Sequence, residues 1–284
     1  ERFLEVADEA TASRRVGQSA RRGAATPPTP VLVPGRSLVR RSALVAPELS
    51  VVVPAFNEAA RLPSALPRLV DALAALDSEI IVVDDGSTDG TADVATRLLA
   101  GTRRPAVLRH DRNRGKGAAV RSGVAHARGR SIIFVDADGA TAPDQISDLV
   151  RVLDHAHIAV GSRTGAGSHT TGATRSRACM GRTFNRWART VTGLEIRDFQ
   201  CGFKGFRGPV AKLLFDLCEV DGFAFDVDVL ALADRIGYRT AEVPVRWEAI
   251  AGGHVRPLWH APEMALSVVQ SRLRWTSNRA LTAV

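Results

Sequence analysis

The chain has 284 residues, of which 45% are hydrophobic and 24% charged, a balance that excludes a disordered or fibrous protein. Its 38 Lys and Arg against 30 Asp and Glu give a net charge of +8, which favours an anionic partner such as nucleic acid, a phosphorylated substrate or acidic lipid. The three cysteines have neither paired nor metal-ligand spacing, which argues against a disulfide framework and a zinc ribbon.

Residues 1–46 differ in composition from the rest of the chain. Arginines are scattered among Ala, Ser and Thr, and the proline-rich piece TPPTP at 26–30 has no apolar periodicity beside it. This pattern predicts a flexible basic arm, with a tether to an anionic membrane as the alternative. No apolar run approaches the roughly 20 residues that cross a bilayer, and no signal-peptide core is visible, so we expect a cytoplasmic protein or one bound to a membrane from its cytosolic side.

From residue 49 apolar runs alternate with stretches of helical period. The predicted strands are 49–53, 80–83, 106–108, 131–135 and 158–160, and the predicted helices between them are 58–76, 89–99, 115–127 and 143–153. This alternation predicts an α/β fold, in which an open, mostly parallel sheet is flanked by helices. We assign 47–253 to this α/β domain.

Four polar motifs follow the predicted strands or open the next helix. They are PAFNE at 54–58, DDGSTDGT at 84–91, NRGKG at 113–117 and DADG at 136–139. Each motif alone is compatible with ordinary turn and capping chemistry. Because parallel strands end at one edge of the sheet, where ligands bind, the four together predict a single site. Lys116 between two glycines suits a phosphate, although the loop lacks the spacing of a Walker A motif.

Asp136 and Asp138 give the sharpest chemical signal. Two carboxylates directly after an apolar strand are costly unless a positive charge balances them. A hard divalent cation that bridges a diphosphate would do so, since Mg²⁺ takes few protein carboxylates and shares its remaining positions with phosphate and water. The motif therefore predicts Mg²⁺ or Mn²⁺ as cofactor, with a solvated strand-end turn as the alternative.

Two later segments combine an apolar stripe with arginines. Met180, Phe184, Trp187 and Val191 recur at helical spacing within an arginine-rich stretch. The segment 254–284 predicts an amphipathic helix and tail, whose stripe consists of Leu258, Pro262, Ala265, Leu266, Val269 and Leu273, with Trp259 and Trp275 near its ends. Core packing explains either stripe, and a helix lying at a membrane surface is the functional alternative.

The ordered motifs resemble family 2 glycosyltransferases, which have a GT-A fold. The later motifs narrow the resemblance to the dolichyl-phosphate glucosyltransferases and, more distantly, the dolichyl-phosphate mannose synthases: GSR at 161–163, RDFQCGFK at 197–204, FAFDVD at 223–228 and AEVPVRW at 241–247. The resemblance covers about residues 49–275. It implies inverting transfer of a hexose, glucose from UDP-glucose above others, onto a polyprenyl or dolichyl phosphate at the inner, cytosolic face of a membrane.

The resemblance also implies roles for single residues. The nucleotide sugar would be bound by Pro54, Asn57, Glu58, Asp85, Arg114, Lys116, Asp136 and Ala137. Asp136 and Asp138 would hold the metal, and Ala140, where mannose synthases can carry a Gln, favours the glucosyl branch. The acceptor phosphate would be gripped by Arg163 with Arg175 or Arg177, and the candidates for catalytic or orienting roles are Asp198, Asp226 and Arg163.

Four other functions compete with this interpretation. A GDP-mannose-dependent polyprenyl-phosphate mannosyltransferase and a soluble transferase acting on a small phosphorylated acceptor would share the nucleotide half. A nucleotidyltransferase normally has a glycine-rich loop after its first strand, where this chain has PAFNE. A nucleic-acid-binding module would need a recognisable motif and would be repelled by the acidic strand ends, so we expect no nucleic-acid partner. The sequence makes no prediction of oligomeric state.

Overall fold

The computed structural model describes residues 29–31, 46–250 and 257–277. Eight strands form one sheet in the order β1-β4-β3-β2-β5-β8-β6-β9. These strands are β1 (Thr29–Val31), β2 (Leu49–Ala55), β3 (Ser78–Asp84), β4 (Pro105–Arg109), β5 (Ser131–Val135), β6 (Ile158–Ser162), β8 (Phe203–Arg207) and β9 (Thr240–Pro244). A separate parallel pair consists of β7 (His169–Thr171) and β10 (Arg246–Glu248).

Helices cover both faces of the sheet. They are α1 (Leu62–Leu73), α2 (Thr91–Leu99), α3 (Lys116–His126), α4 (Ile146–Leu153), α5 (Arg175–Thr192), α6 (Gly208–Leu217), α7 (Phe225–Ile236) and α8 (Pro257–Ser277). Every residue of β2 and β3 is buried, as expected for parallel strands covered on both sides. Alternate residues of β2 divide between two cores, with Val52 in the core beneath α3, α6 and α7 and Val51 in the core beneath α1, α2 and α4.

The five predicted strands and the helices between them are confirmed, with changes at their ends. The first helix begins at Leu62 instead of residue 58, because Asn57 adopts a left-handed backbone with φ 53° and turns the chain away from β2. The last predicted helix of the series opens with a 3₁₀ turn at Pro143–Gln145 before α4.

Strand β8 was not predicted and makes the sheet mixed. It runs antiparallel between β5 and β6, so its amino-terminal end lies beside their carboxyl ends. The residues that precede β8, including Gly202, therefore reach the edge where ligands of such sheets bind.

Near the two ends of the chain the structure describes one short strand and one long helix. Thr29–Val31, within the segment predicted to be flexible, forms a strand antiparallel to β4, whose outer edge would otherwise present unpaired backbone groups. The rest of the predicted arm, residues 1–28 and 32–45, lies outside the described residues. The predicted carboxyl-terminal helix is confirmed as α8, while residues 278–284 lie outside the description.

Two predictions about the whole chain can be compared with the described residues. Cys179, Cys201 and Cys218 are free thiols, with Cys179 exposed and the other two buried. Among the residues that the structure describes, none of the helices combines the length and apolar character needed to span a bilayer.

Candidate active site

The first two polar motifs are joined by hydrogen bonds at the carboxyl ends of β2 and β3. The amide of Asn57 donates to Ser87 Oγ at 2.8 Å, and Asn57 Oδ1 accepts from the amide of Thr88 at 3.0 Å. The amide of Glu58 donates to Thr91 Oγ1 at 2.8 Å. The left-handed turn at Asn57 brings these groups into reach, and it fixes the two loops as one unit next to Pro54 at the end of β2.

Asp85, predicted to contact the base of the nucleotide, binds the loop that follows β4. Its Oδ1 accepts from the Arg114 amide at 2.9 Å and its Oδ2 from the Gly115 amide at 2.8 Å, and Oδ1 also lies 2.6 Å from His110 Nδ1. The carboxylate is almost fully buried. It therefore positions Arg114 and the start of α3, and its contact with a base stays a prediction.

Lys116, the first residue of α3, reaches across the sheet edge to the Asp136 carboxylate. Its Nζ lies 2.7 Å from Asp136 Oδ1. Burial works to lower the pKa of Lys116, but the carboxylates of Asp136 and Asp226 outweigh it and hold that pKa above its usual value. A β-carbon at Gly115 or Gly117 would lie 2.4 Å from a carbonyl oxygen of the segment before α7, so the glycines let α3 begin in close contact with that segment.

Asp136 and Asp138 lie in a tight turn after β5. Gly139 has φ 71°, and the Ala140 amide donates to Asp138 Oδ1 at 3.0 Å. The Asp136 amide donates to the Gly202 carbonyl at 3.1 Å, and a β-carbon on Gly202 would fall 1.9 Å from Asp136 Oδ2. The start of β8 thus forms a glycine-lined cradle that fits the Asp136 carboxylate closely.

The charges around this turn favour a cation. Burial raises the pKa of Asp138, and the neighbouring Asp136 raises it further. Burial also raises the pKa of Glu58 to about 7, with Arg61 opposing the change and Asp138 and Asp136 adding to it. Lys116 and Arg61 work to lower the pKa of Asp138 without cancelling the rise, so negative charge remains concentrated at this turn, and a divalent cation would relieve it.

The donor set agrees with such a cation. Among the described residues, no three His, Cys, Asp or Glu side chains converge into a complete metal site. Asp136 and Asp138 would therefore leave most ligand positions to phosphate oxygens and water, which is the usual arrangement for Mg²⁺ with a nucleotide. These residues fit Mg²⁺ or Mn²⁺ that arrives together with a diphosphate.

Arg163 and Asp198, both predicted catalytic residues, bind each other beyond the end of β6. Arg163 donates through Nε at 2.7 Å and Nη2 at 2.8 Å to the two oxygens of Asp198, and its guanidinium lies 5.5 Å from the centre of the Trp247 ring. Burial would raise the pKa of Asp198, but the hydrogen bonds from Arg163 hold it below its usual value. This pairing uses two of the five guanidinium N–H groups, so contact of Arg163 with an acceptor phosphate stays a prediction.

Asp226, the remaining predicted catalytic residue, is buried at the start of α7 behind the site. Its Oδ1 lies 2.6 Å from Nζ of Lys204, which also donates to the Cys201 carbonyl at 2.7 Å. Burial raises the pKa of Asp226, while Lys204 and Lys116 work to lower it. Asp226 thus adds negative charge behind Lys116, and direct contact with sugar or acceptor stays a prediction.

The arginines predicted to grip an acceptor begin α5. Arg175 is exposed, and the side chain of Arg177 lies outside the description. Phe184, Trp187 and Val191 of the predicted α5 stripe are partly buried against the core, whereas Met180 is exposed. Core packing therefore accounts for most of that stripe.

Several residues of the site were not assigned a role from the sequence. Arg61 pairs with Glu58 at 2.6 Å, Lys204 with Asp226, and His110 with Asp85. The Trp247 ring packs against the Arg163 guanidinium, and the Trp247 backbone forms an isolated β-bridge with Thr141, next to the Asp136 turn. Lys204 and Trp247 lie within the motifs of the family resemblance, and His110 lies two residues after the predicted strand 106–108, which was the available signal for it.

Known proteins resemble this chain over most of its length. The sequence profile described as "Glycosyl transferase family 2" matches residues 50–215. A "Dolichyl-phosphate beta-glucosyltransferase" of Drosophila melanogaster is 38% identical over 246 residues, which cover 80% of this chain and 75% of that protein. A protein of the same description from Dictyostelium discoideum is 36% identical over 251 residues, covering 80% of this chain and 74% of the relative.

Solved structures share the fold. Glucosyl-3-phosphoglycerate synthase from Mycobacterium tuberculosis, in complex with Mn²⁺, UDP and glucosyl-3-phosphoglycerate, is similar with a TM-score of 0.57 and 22% identity. The match covers 80% of this chain and 79% of that chain. This likeness confirms the predicted α/β architecture of the GT-A type.

Proposed function

Since the chain belongs to glycosyl transferase family 2, as its motifs predicted, we propose that it transfers glucose from UDP-glucose to a polyprenyl or dolichyl phosphate with inversion. The observation that carries the proposal is the pairing of Lys116 with Asp136 beside Asp138, at the sheet edge where Asn57 and Asp85 also lie. The named activity of the relatives supports glucose as the sugar and a lipid phosphate as the acceptor.

The residues at this edge suit the departure of a nucleoside diphosphate. A Mg²⁺ or Mn²⁺ ion held by Asp136 and Asp138 would supply Lewis-acid stabilisation of the charge that develops on the diphosphate. Lys116 lies 2.7 Å from Asp136, so its ammonium group would face the same phosphates. The raised pKa of Lys116 keeps that group charged at neutral pH. Fixed positive charge of this kind lowers the barrier because it needs no reorganisation during the reaction.

An acceptor phosphate needs less activation than an alcohol. The second pKa of a phosphate monoester is about 6, so its oxygen is largely ionised at neutral pH and can attack without a strong general base. The lowered pKa of Asp198 and its tight bond to Arg163 suit an orienting role better than proton abstraction. We assign Arg163, with Asp198 holding it in place, to the acceptor side of the site.

A panel of donors and acceptors tests the proposal. We expect UDP-glucose with polyprenyl phosphate and Mg²⁺ or Mn²⁺ to give a lipid-linked product, and EDTA to stop the reaction. GDP-mannose should give little product because Ala140 stands where mannose synthases can place a Gln ligand. Equal rates with GDP-mannose would favour the mannosyltransferase, and equal rates with phosphoglycerate as acceptor would favour the soluble transferase.

We further propose that α8 and α5 contact the membrane that holds the acceptor. Leu266, Val269 and Leu273 lie at spacings of three and four on α8 and are 59%, 40% and 63% exposed. The opposite face packs inward through Met264, Val268 and Ser271. The predicted α8 stripe is thus directed outward at these three positions.

The neighbouring helix α5 carries exposed positive charge. Helix α5 is in contact with α8, and its Arg182, Arg186 and Arg189 are exposed. Arg274 of α8 pairs with Glu219 at 2.7 Å, which fastens the helix to the catalytic domain. An apolar stripe beside basic side chains is typical of a helix that lies in an anionic membrane surface.

Sedimentation with anionic vesicles tests this surface. Leu266→Glu should weaken vesicle binding by about tenfold or more, because one buried leucine is worth about 1.5–3 kcal/mol. Leu76→Glu is the matched control, since Leu76 is 41% exposed after α1, outside the α5 and α8 surface. Equal loss in both variants, or no loss in Leu266→Glu, would contradict the assignment.

A further inference from the structure

His110 is a buried side chain at the site edge to which the proposed reaction gives no role. It directly follows β4, and its amide donates to the carbonyl of Asp84 at 2.9 Å. Only 1% of its side chain is exposed. A buried imidazole needs hydrogen-bond partners for both ring nitrogens, and these partners show which groups His110 holds in place.

The ring links three elements of the fold. Nδ1 lies 2.6 Å from Asp85 Oδ1 at the end of β3, and Nε2 lies 2.9 Å from Ser122 Oγ on α3. An ionised carboxylate can only accept, so the hydrogen between His110 and Asp85 is carried by Nδ1, and Ser122 Oγ is the partner of Nε2. The hydrogen on Nδ1 is assigned from these partners.

The Asp85 carboxylate that His110 holds is also the anchor of the next loop. Its two oxygens accept from the amides of Arg114 and Gly115. A rotation of the carboxylate would break both bonds together. On the other side of Asp85, a β-carbon on Gly86 would lie 2.3 Å from the backbone of Arg112, so turn and loop are already in direct contact.

The anchored loop determines where α3 begins and therefore where Lys116, its first residue, lies. Gly115 is the residue before α3, Lys116 is its first residue, and Lys116 Nζ reaches Asp136 at 2.7 Å. A small movement of Gly115 would therefore shift the ammonium group relative to the diphosphate. Misplacement of a binding group by about 1 Å can cost on the order of 100-fold in rate.

We infer that His110 is a positioning residue for the nucleotide-sugar donor: bonded to Ser122 through Nε2, it orients the Asp85 carboxylate toward the amides of Arg114 and Gly115 and so sets the place of Lys116. The inference rests on the proposed function, because it requires that Lys116 meets a nucleoside diphosphate. The inference predicts that His110 affects binding of the donor and not of the acceptor. Asp85 contacts the β4–α3 loop, whereas Arg163, assigned to the acceptor side, lies beyond β6.

Amide replacements at position 110 test which ring nitrogen matters. In His110→Asn the side-chain amide can occupy the place of Nδ1 and donate to Asp85, whereas in His110→Gln it extends toward the place of Nε2 and Ser122. We expect calorimetric titration with UDP and Mg²⁺ to show affinity within about threefold of wild type for Asn. For Gln and for His110→Ala we expect a loss of roughly tenfold, the effect of losing one hydrogen bond to a charged group.

Kinetic measurements and a variant of a second histidine distinguish a positioning role of His110 from a general loss of stability. The KM for UDP-glucose should rise in His110→Gln while the KM for polyprenyl phosphate stays unchanged. His157→Ala is the matched control, because His157 Nδ1 bonds the Arg239 amide at 3.0 Å where β6 begins, at the opposite edge of the sheet. That variant should leave UDP affinity unchanged even where it lowers the melting temperature.

The possible results divide clearly. Equal UDP affinity in the Asn and Gln variants, whether both are strong or both weak, would overturn the role of His110, and so would parallel rises in both KM values. If His110→Ala does not fold, the comparison of Asn with Gln still decides. If the wild-type protein itself binds no UDP, the proposed function fails instead.

Discussion

Asp138→Asn should reduce the rate of glucosyl transfer by at least about 100-fold while the protein stays folded. The loss follows from removing a metal-binding carboxylate, since Lewis-acid stabilisation of the leaving diphosphate is worth several kcal/mol and about 1.4 kcal/mol is tenfold in rate. Product formation at saturating UDP-glucose, with Mg²⁺ or Mn²⁺ present, measures it.

The stability of this variant provides a second signature. Burial and Asp136 raise the pKa of Asp138 in the folded protein above its unfolded value. At a pH at which the carboxyl group is ionised in both the folded and the unfolded protein, the ionised form therefore opposes folding, and a neutral Asn removes that cost. We expect a melting temperature equal to or above that of wild type without metal, and a smaller rise when UDP and Mg²⁺ are added.

A control variant distinguishes the loss of metal binding from the general effect of losing a negative charge. Asp148→Asn makes the same replacement on α4, where Asp148 pairs with Arg151, and should keep full activity. Full activity in Asp138→Asn would remove the metal assignment. A loss of activity accompanied by unfolding would instead mean that the carboxylate is structural.

Lys204→Met should destabilise the protein strongly. Lys204 and Asp226 are 1% and 4% exposed, and their charged atoms are 2.6 Å apart. Removing the lysine leaves a buried carboxylate without its main partner, which costs about 3–5 kcal/mol. For a domain of this size the melting temperature should fall by roughly 10 °C, which thermal unfolding measures directly.

The double variant Lys204→Met with Asp226→Asn distinguishes a structural Asp226 from a functional one. Removing both charges should restore much of the stability, because the uncompensated carboxylate is gone. Activity should be low in this variant, since Asp226 is one of the carboxylates whose negative charge acts on the Lys116 ammonium group. Recovery of activity together with stability would show that Asp226 serves only to neutralise Lys204.

The position of the site could be predicted from the sequence because it depends on local patterns. Alternating strands and helices place the ends of β2, β3 and β5 at one sheet edge, and motifs such as the Asp136–Asp138 pair follow those strands directly. The identity of the polar residues then indicates phosphate and metal chemistry. The confirmed family and fold follow from the same ordered motifs.

The partners of individual side chains could not be predicted, because they depend on contacts distant in the chain. Asp85 turned out to bind the amides of Arg114 and Gly115, some 30 residues away, and Asp226 to pair with Lys204 across 22 residues. Strand β8 was missed because Phe203–Arg207 includes Lys204 and Gly205 and so forms no continuous apolar run. The exposure of Leu266, Val269 and Leu273 on α8 could not be predicted either, because it depends on which face of the helix packs against the core.

Binding of UDP to the wild-type protein, with Mg²⁺ or with EDTA, tests the central claim most directly. We expect a clear calorimetric signal with Mg²⁺, at least about tenfold weaker binding in EDTA, and a comparably weak signal for Asp138→Asn under both conditions. Equal UDP affinity with and without the metal, unchanged by Asp138→Asn, would contradict a cation held by Asp136 and Asp138 at the diphosphate.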